Sequence, residues 1–151
     1  MQLIFASNNA HKLEEVKAIL APSKVEIKSL NDIGFYDEID ETGLTFHENA
    51  AIKVKAINNS NGMDCFADDS GLEVEALGNQ PGVFSARYSG KHGNHEANNQ
   101  KLLRELEGKT NRRACFKTVI ALLMDGKIHY FEGRVDGEIA NKMSGNKGFG
   151  I

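Results

Sequence analysis

The sequence predicts an α/β fold, and three observations carry that expectation. The chain opens on a short apolar run, residues 2–6, then a polar break, then a stretch with helical period. A capped amphipathic helix after Thr45 leads into an apolar strand that meets two adjacent carboxylates, Asp68 and Asp69. Two strand-like runs then flank Asp125-Gly126, a hairpin turn signal. At 151 residues the chain suits one domain with a real core. Hydrophobic residues at 40% and charged residues at 26% are ordinary for a soluble globular protein.

Taken in order, residues 2–6 form the first strand and Ser7-Asn8-Asn9 breaks it. From His11 to Leu20, Leu13, Val16 and Leu20 share one face while Glu14, Glu15 and Lys17 point outward, and Pro22 stops the helix. Lys12 lies in the first turn, where the macrodipole disfavours a cation. An anion docked on the free N–H groups there reverses that argument. The plainer account is that an Asn caps the helix and Lys12 is solvated. Residues 25–30 alternate and read as a second strand. An acidic, irregular stretch runs from Asn31 to Glu41. Thr45 and Glu48 then fit a capping box, opening a helix whose Phe46, Ala50, Val54 and Ile57 form one stripe. Lys53 projects within that stripe and Asn49 sits at its edge. A lysine there must snorkel or find an anion.

The approach Cys65-Phe66-Ala67 runs into Asp68-Asp69, and Ser70-Gly71 then reads as a turn. If the strand continues through both carboxylates, they leave on opposite faces, so only one looks into a given pocket. Residues 78–82 form a turn, followed by Arg87 in a segment of small and aromatic residues. His92-Gly93-Asn94-His95 lacks further ligands at zinc spacing. Glu96 to Leu106 reads as a helix with Leu102, Leu103 and Leu106 inward and Gly108 just past its end. Arg113 to Leu123 reads as a largely buried strand, and Lys127 to Val135 returns beside it. The tail, residues 145–150, is Gly-rich.

Several function classes drop out. The net charge is −3 and no Lys/Arg block exceeds Arg112-Arg113, so nothing recommends a nucleic-acid partner. No apolar run is long enough to span a bilayer, and the first residues lack a basic leader. Cys65 and Cys115 lie far apart in apolar stretches and read as reduced, buried thiols of a cytoplasmic protein.

Four features ask for one explanation: the polar turn opening the first helix, Glu41, Lys53, and the Asp68/Asp69 pair. Mg²⁺ is held by one or two carboxylates plus substrate phosphates. Phosphate oxygens favour lysines and helix N-termini. Cleaving a phosphoanhydride requires charge neutralisation and an oriented water. The residues therefore point to Mg²⁺-dependent chemistry on a phosphorylated small molecule, without identifying the nucleotide.

The segments Ser7-Asn8-Asn9-Ala10-His11-Lys12, Glu41 to Phe46 with Glu48-Asn49-Ala50, and Ala67 to Leu72 together resemble the non-canonical purine nucleoside-triphosphate pyrophosphatase family, the inosine triphosphatase or Ham1-like family. Residues 81–90 and the closing Gly148-Phe149-Gly150 match as well, so the resemblance runs from residue 2 to residue 150. It implies an elongated mixed β-sheet with flanking helices, two lobes around a central nucleotide cleft, and a homodimer. The implied reaction converts (d)ITP or XTP to the monophosphate and pyrophosphate. By motif position, Ser7, Asn8, Asn9, Ala10, His11 and Lys12 bind the triphosphate, with Asn9 and Lys12 as donors, and Lys53 joins them. Glu41 and Asp69 hold Mg²⁺, Asp69 acts as general base, and Asp68 supports the carboxylate cluster. Ser70 contacts substrate, Phe149 stacks on the base beside Gly150.

The family pattern continues past Gly-Phe-Gly with segments that read the purine, whereas this sequence ends at Ile151. The expectation is thus one domain over residues 1–151 lacking that segment. A non-catalytic nucleotide-binding module is the alternative. The related Maf type has motifs not found here, and a plain structural domain requires every polar motif to be incidental.

Overall fold

The computed structural model describes residues 1–90 and 94–141. The sheet has six strands: β1 (Gln2–Phe5), β2 (Glu26–Lys28), β3 (Cys65–Val74), β4 (Gln80–Pro81), β5 (Arg113–Met124) and β6 (Lys127–Glu138). Three α-helices among the described residues, α1 (Ala10–Leu20), α2 (Phe46–Asn61) and α3 (His95–Glu105), accompany them. The strand order is β2-β1-β3-β5-β6, with β4 on β3. β1 pairs in parallel with both β2 and β3, and β4 pairs antiparallel with β3, so the sheet is mixed. The fold is α/β, as the sequence predicts. No described helix is long and apolar enough to cross a membrane.

The chain divides into two compact units, Met1–Asp69 with Val119–Phe131 and Ser70–Thr118 with Glu132–Ile151. In the first, two hydrophobic clusters follow the alternation of the strands. Leu3, Phe5, Ile27 and Phe66 pack with Leu13, Val16 and Leu20 of α1. Ile4, Ala6, Cys65 and Ala67 pack with Ala50, Val54 and Ile57 of α2. The two crossover helices therefore cover opposite faces of the parallel strands. In the second unit, Leu72 and Val74 pack with Leu102 of α3 and with Leu106 just past its end, while Leu103 is only half-buried.

Two local expectations need correction. Ser70-Gly71 is not a turn, because β3 runs unbroken from Cys65 to Val74. The strand is held extended there by Leu72 N–H donating to Ser85 Oγ at 2.8 Å, and Ser70 Oγ lies 2.9 Å from Thr118 Oγ1 of β5. β5 is also not buried throughout: it alternates, with Cys115, Val119, Ala121 and Leu123 buried between partly exposed or exposed neighbours. His92 and the Gly-rich tail lie outside the described residues.

Candidate active site

The carboxylates of β3 stand just past the carboxyl end of β1, where its parallel pairing with β3 stops. Ala6 N–H donates to Phe66 O at 2.9 Å, so the chain leaves β1 at Ser7 beside Ala67-Asp68. With β1 central, β2 reached through α1 and β3 through α2, the strand order reverses at β1. Open α/β sheets bind ligands at the carboxyl ends of strands at such a reversal.

The Ser7–Lys12 turn is built by its own side chains. Ser7 Oγ accepts from Asn9 N–H at 3.0 Å, and Asn9 Oδ1 accepts from Lys12 N–H at 3.1 Å as the N-cap of α1. Capping thus occupies the Asn9 oxygen, and the donor it retains for a phosphate is its amide NH₂. Asn8, Ala10 and His11 are exposed around the helix start. Lys12 Nζ lies 2.9 Å from Asp68 Oδ2, which joins the helix to β3. Asp68 shares the face of Phe66, the α1 side, and its side chain is 14% exposed.

Asp69 falls on the other face, with Ala67 and the α2 side. There Lys53 reaches out of the apolar stripe to two acceptors: Asp68 O at 2.8 Å and Glu41 Oε1 at 2.5 Å. A core-stripe lysine is satisfied in this way without leaving its helix face. The division of labour between the two aspartates follows from strand alternation. Asp68 belongs to Lys12, whereas Asp69 faces Lys53, Glu41 and Asn49.

Asp69 is the unusual member. Burial pushes its carboxyl up to about 6, opposed by the Lys53 cation and assisted by the charge of Glu41. A side-chain hydrogen bond from Asn49 works in the lowering direction. Its Oδ2 is buried without a hydrogen-bond partner. Buried polar atoms are nearly always paired, so this oxygen marks a position prepared for a proton or a cation. Glu41, Asp68 and Asp69 together supply three carboxylates, against Lys12 on Asp68 and Lys53 on Glu41. Among the described residues, no group of three or more His, Cys, Asp or Glu converges as a metal cage. Two carboxylates are a donor set of the kind Mg²⁺ takes beside substrate phosphates, since it seldom uses an all-protein cage.

The remaining candidates separate. Ser70 Oγ lies 2.9 Å from Thr118 Oγ1, within the second unit. Phe149 and Gly150 lie outside the described residues. Cys65, buried and with its thiol pushed up to about 11 by that burial, is inert packing. Asn49, placed by the sequence at the edge of the α2 stripe but given no role there, is 1% exposed and its Oδ1 accepts from Gly43 N–H at 2.8 Å. Its signal was a polar residue one turn before Lys53 on a buried stripe.

Comparison with known proteins identifies the family. The model of the Ham1 family matches residues 3–151. A dITP/XTP pyrophosphatase of Flavobacterium psychrophilum is 51% identical over 150 residues, covering 99% of this chain and 78% of the relative. One from Bacillus subtilis is 43% identical over 152 residues, covering 99% and 77%. Among solved structures, a Ham1 protein of Staphylococcus aureus superposes with a TM-score of 0.90 at 40% identity, covering 99% of this chain and 78% of that one. A HAM1 protein of Coxiella burnetii gives 0.92 at 37%, with the same coverage. The fold, the ordered motifs and these likenesses agree: the chain belongs to the Ham1 family.

Proposed function

We propose that this protein hydrolyses non-canonical purine nucleoside triphosphates, dITP, ITP and XTP, to the monophosphate and pyrophosphate, removing them from the nucleotide pool. Family membership and relatives named dITP/XTP pyrophosphatase support the reading. The single observation that carries the chemistry is Asp69, a buried carboxylate with one bare oxygen among Lys53, Glu41 and Asn49.

The residues act as follows. The first backbone N–H groups of α1, the Asn9 amide and the Lys12 ammonium receive phosphate oxygens. Lys12 exchanges Asp68 for the substrate, and Lys53 adds a second cation. Asp69 orients a water and takes its proton on Oδ2, as a carboxyl held near 6 is able to do at neutral pH. The water oxygen bonds to phosphorus, the bridging P–O bond between the α and β phosphates breaks, and pyrophosphate leaves with the electron pair. Glu41 and Asp69 would hold Mg²⁺, which when bound neutralises charge on the phosphates. Ser70 contacts the substrate and Phe149, beside Gly150, stacks on the base. The working form in this proposal is a cytoplasmic homodimer.

Pyrophosphate release with Mg²⁺, comparing dITP and XTP with dATP and dGTP, tests the reading. Release from dITP and XTP alone is expected. Equal release from all four would remove the base selectivity, and binding of dITP without release would favour a non-catalytic nucleotide-binding module.

A further inference from the structure

Asn49 is a buried amide in the first turns of a helix, where apolar packing alone would favour an alanine or valine. It belongs to a row of α2 side chains that grip one short loop. Lys53 holds Glu41, Asn49 Oδ1 accepts from Gly43 N–H at 2.8 Å, and Glu48 Oε2 accepts from Leu44 N–H at 2.8 Å. Asn49 and Lys53 are one helical turn apart, so a single face of α2 fixes residues 41 and 43 together. The fit at Gly43 is tight: a Cβ there would stand 2.7 Å from Asn49 Oδ1 and 2.6 Å from Glu48 Cβ. With Oδ1 committed to Gly43, the group of Asn49 left to hydrogen-bond Asp69 is its NH₂.

We propose that Asn49 is a positioning residue for the hydrolytic site, one buried amide that fixes the Glu41-bearing loop against Asp69. This rests on the function proposed above. Glu41 comes from a loop and Asp69 from a strand, and neither segment alone sets their separation. Asn49 holds the Glu41-bearing loop through Gly43, and one turn on Lys53 holds both Glu41 and Asp68 O, all from a helix locked into the core by Ala50, Val54 and Ile57.

The test uses Asn49→Ala, Asn49→Asp and Gly43→Ala in the full chain, with kcat and KM for dITP and the amide hydrogen exchange of Gly43. Asn49→Ala and Gly43→Ala should each lower kcat about ten- to a hundredfold, with KM within about threefold because the phosphate-binding turn lies elsewhere. The double variant should be no slower than the worse single one, since both break one contact. Asn49→Ala should also speed Gly43 exchange, and Asn49→Asp, which keeps the acceptor, should restore slow exchange while kcat stays low. Unchanged kcat in Asn49→Ala, a loss seen in KM alone, or full kcat in Asn49→Asp overturns the proposal. If the unmutated chain released no pyrophosphate, the functional reading would fall instead, and Gly43 exchange would still decide whether Asn49 holds the loop.

Discussion

Asp69 combines two properties that oppose each other. A general base must be charged before it can accept a proton, yet this carboxylate sits where charge is disfavoured, with its Oδ2 unpaired. Its carboxyl is pushed up to about 6 from 3.8, chiefly by burial. The folded protein therefore keeps a proton that the unfolded chain releases between those values. The group's contribution to stability is present below pH 3.8 and is lost as pH rises through about 6. Asp69→Asn removes the charge and keeps the shape. It should raise stability at pH 7–8 by about 1–3 kcal/mol in metal-free buffer, with little gain near pH 4. The same variant should lower kcat by about a hundred- to ten-thousandfold. Urea unfolding at the two pH values and pyrophosphate release measure the two effects. A variant as active as the unmutated chain would sink the assigned role, and one equally destabilised at both pH values would sink the electrostatic account.

At the level of elements, the start of α1 serves two functions through one residue. Asn9 caps the helix with its oxygen, which by itself satisfies the plainest reading of the turn. The phosphate role must therefore rest on its NH₂. Asn9→Asp separates the two: a carboxylate caps as well as an amide and gains about 0.3–1 kcal/mol from the helix dipole. Thermal stability should hold or rise, whereas KM for dITP should rise about tenfold or more as a donor becomes an anion facing phosphate. An unchanged KM would leave Asn9 as a cap only. The local pattern was legible where the period is strong. The stripe Phe46, Ala50, Val54 and Ile57 is buried, and Thr45 Oγ1 does accept from Glu48 N–H at 3.1 Å. Legibility failed where a distant partner decides. Glu48 reaches Leu44 N–H, not the cap residue itself, because the loop folds over the helix start. Ser70-Gly71 carries turn residues but remains extended because the Ser85 hydroxyl supplies the acceptor its neighbour needs. Sequence spacing contains neither contact.

On the scale of the whole molecule, the order β2-β1-β3 converts residues scattered from 7 to 69 into one cluster, and sequence alone could place them only through resemblance. Spacing indicates which residues carry chemistry. The crossover topology decides that Lys12 meets Asp68 while Lys53 meets Glu41. That pairing has a consequence for binding. Both lysines are already neutralised by carboxylates, Asp69 adds further negative charge, and the chain as a whole carries −3. A triphosphate approaching this site meets no excess of positive charge, near or far. Nucleotide binding, and not only turnover, should therefore depend on a divalent cation. With a non-hydrolysable dITP analogue bridged by nitrogen between the α and β phosphates, calorimetry in EDTA should give a Kd at least about tenfold weaker than in millimolar Mg²⁺. Glu41→Gln should narrow that gap, because it removes a ligand for the cation and also frees Lys53 for phosphate. Equal affinity with and without Mg²⁺ would mean that the lysines and the α1 terminus suffice to hold the triphosphate, and the assignment of Glu41 and Asp69 to a metal would fail.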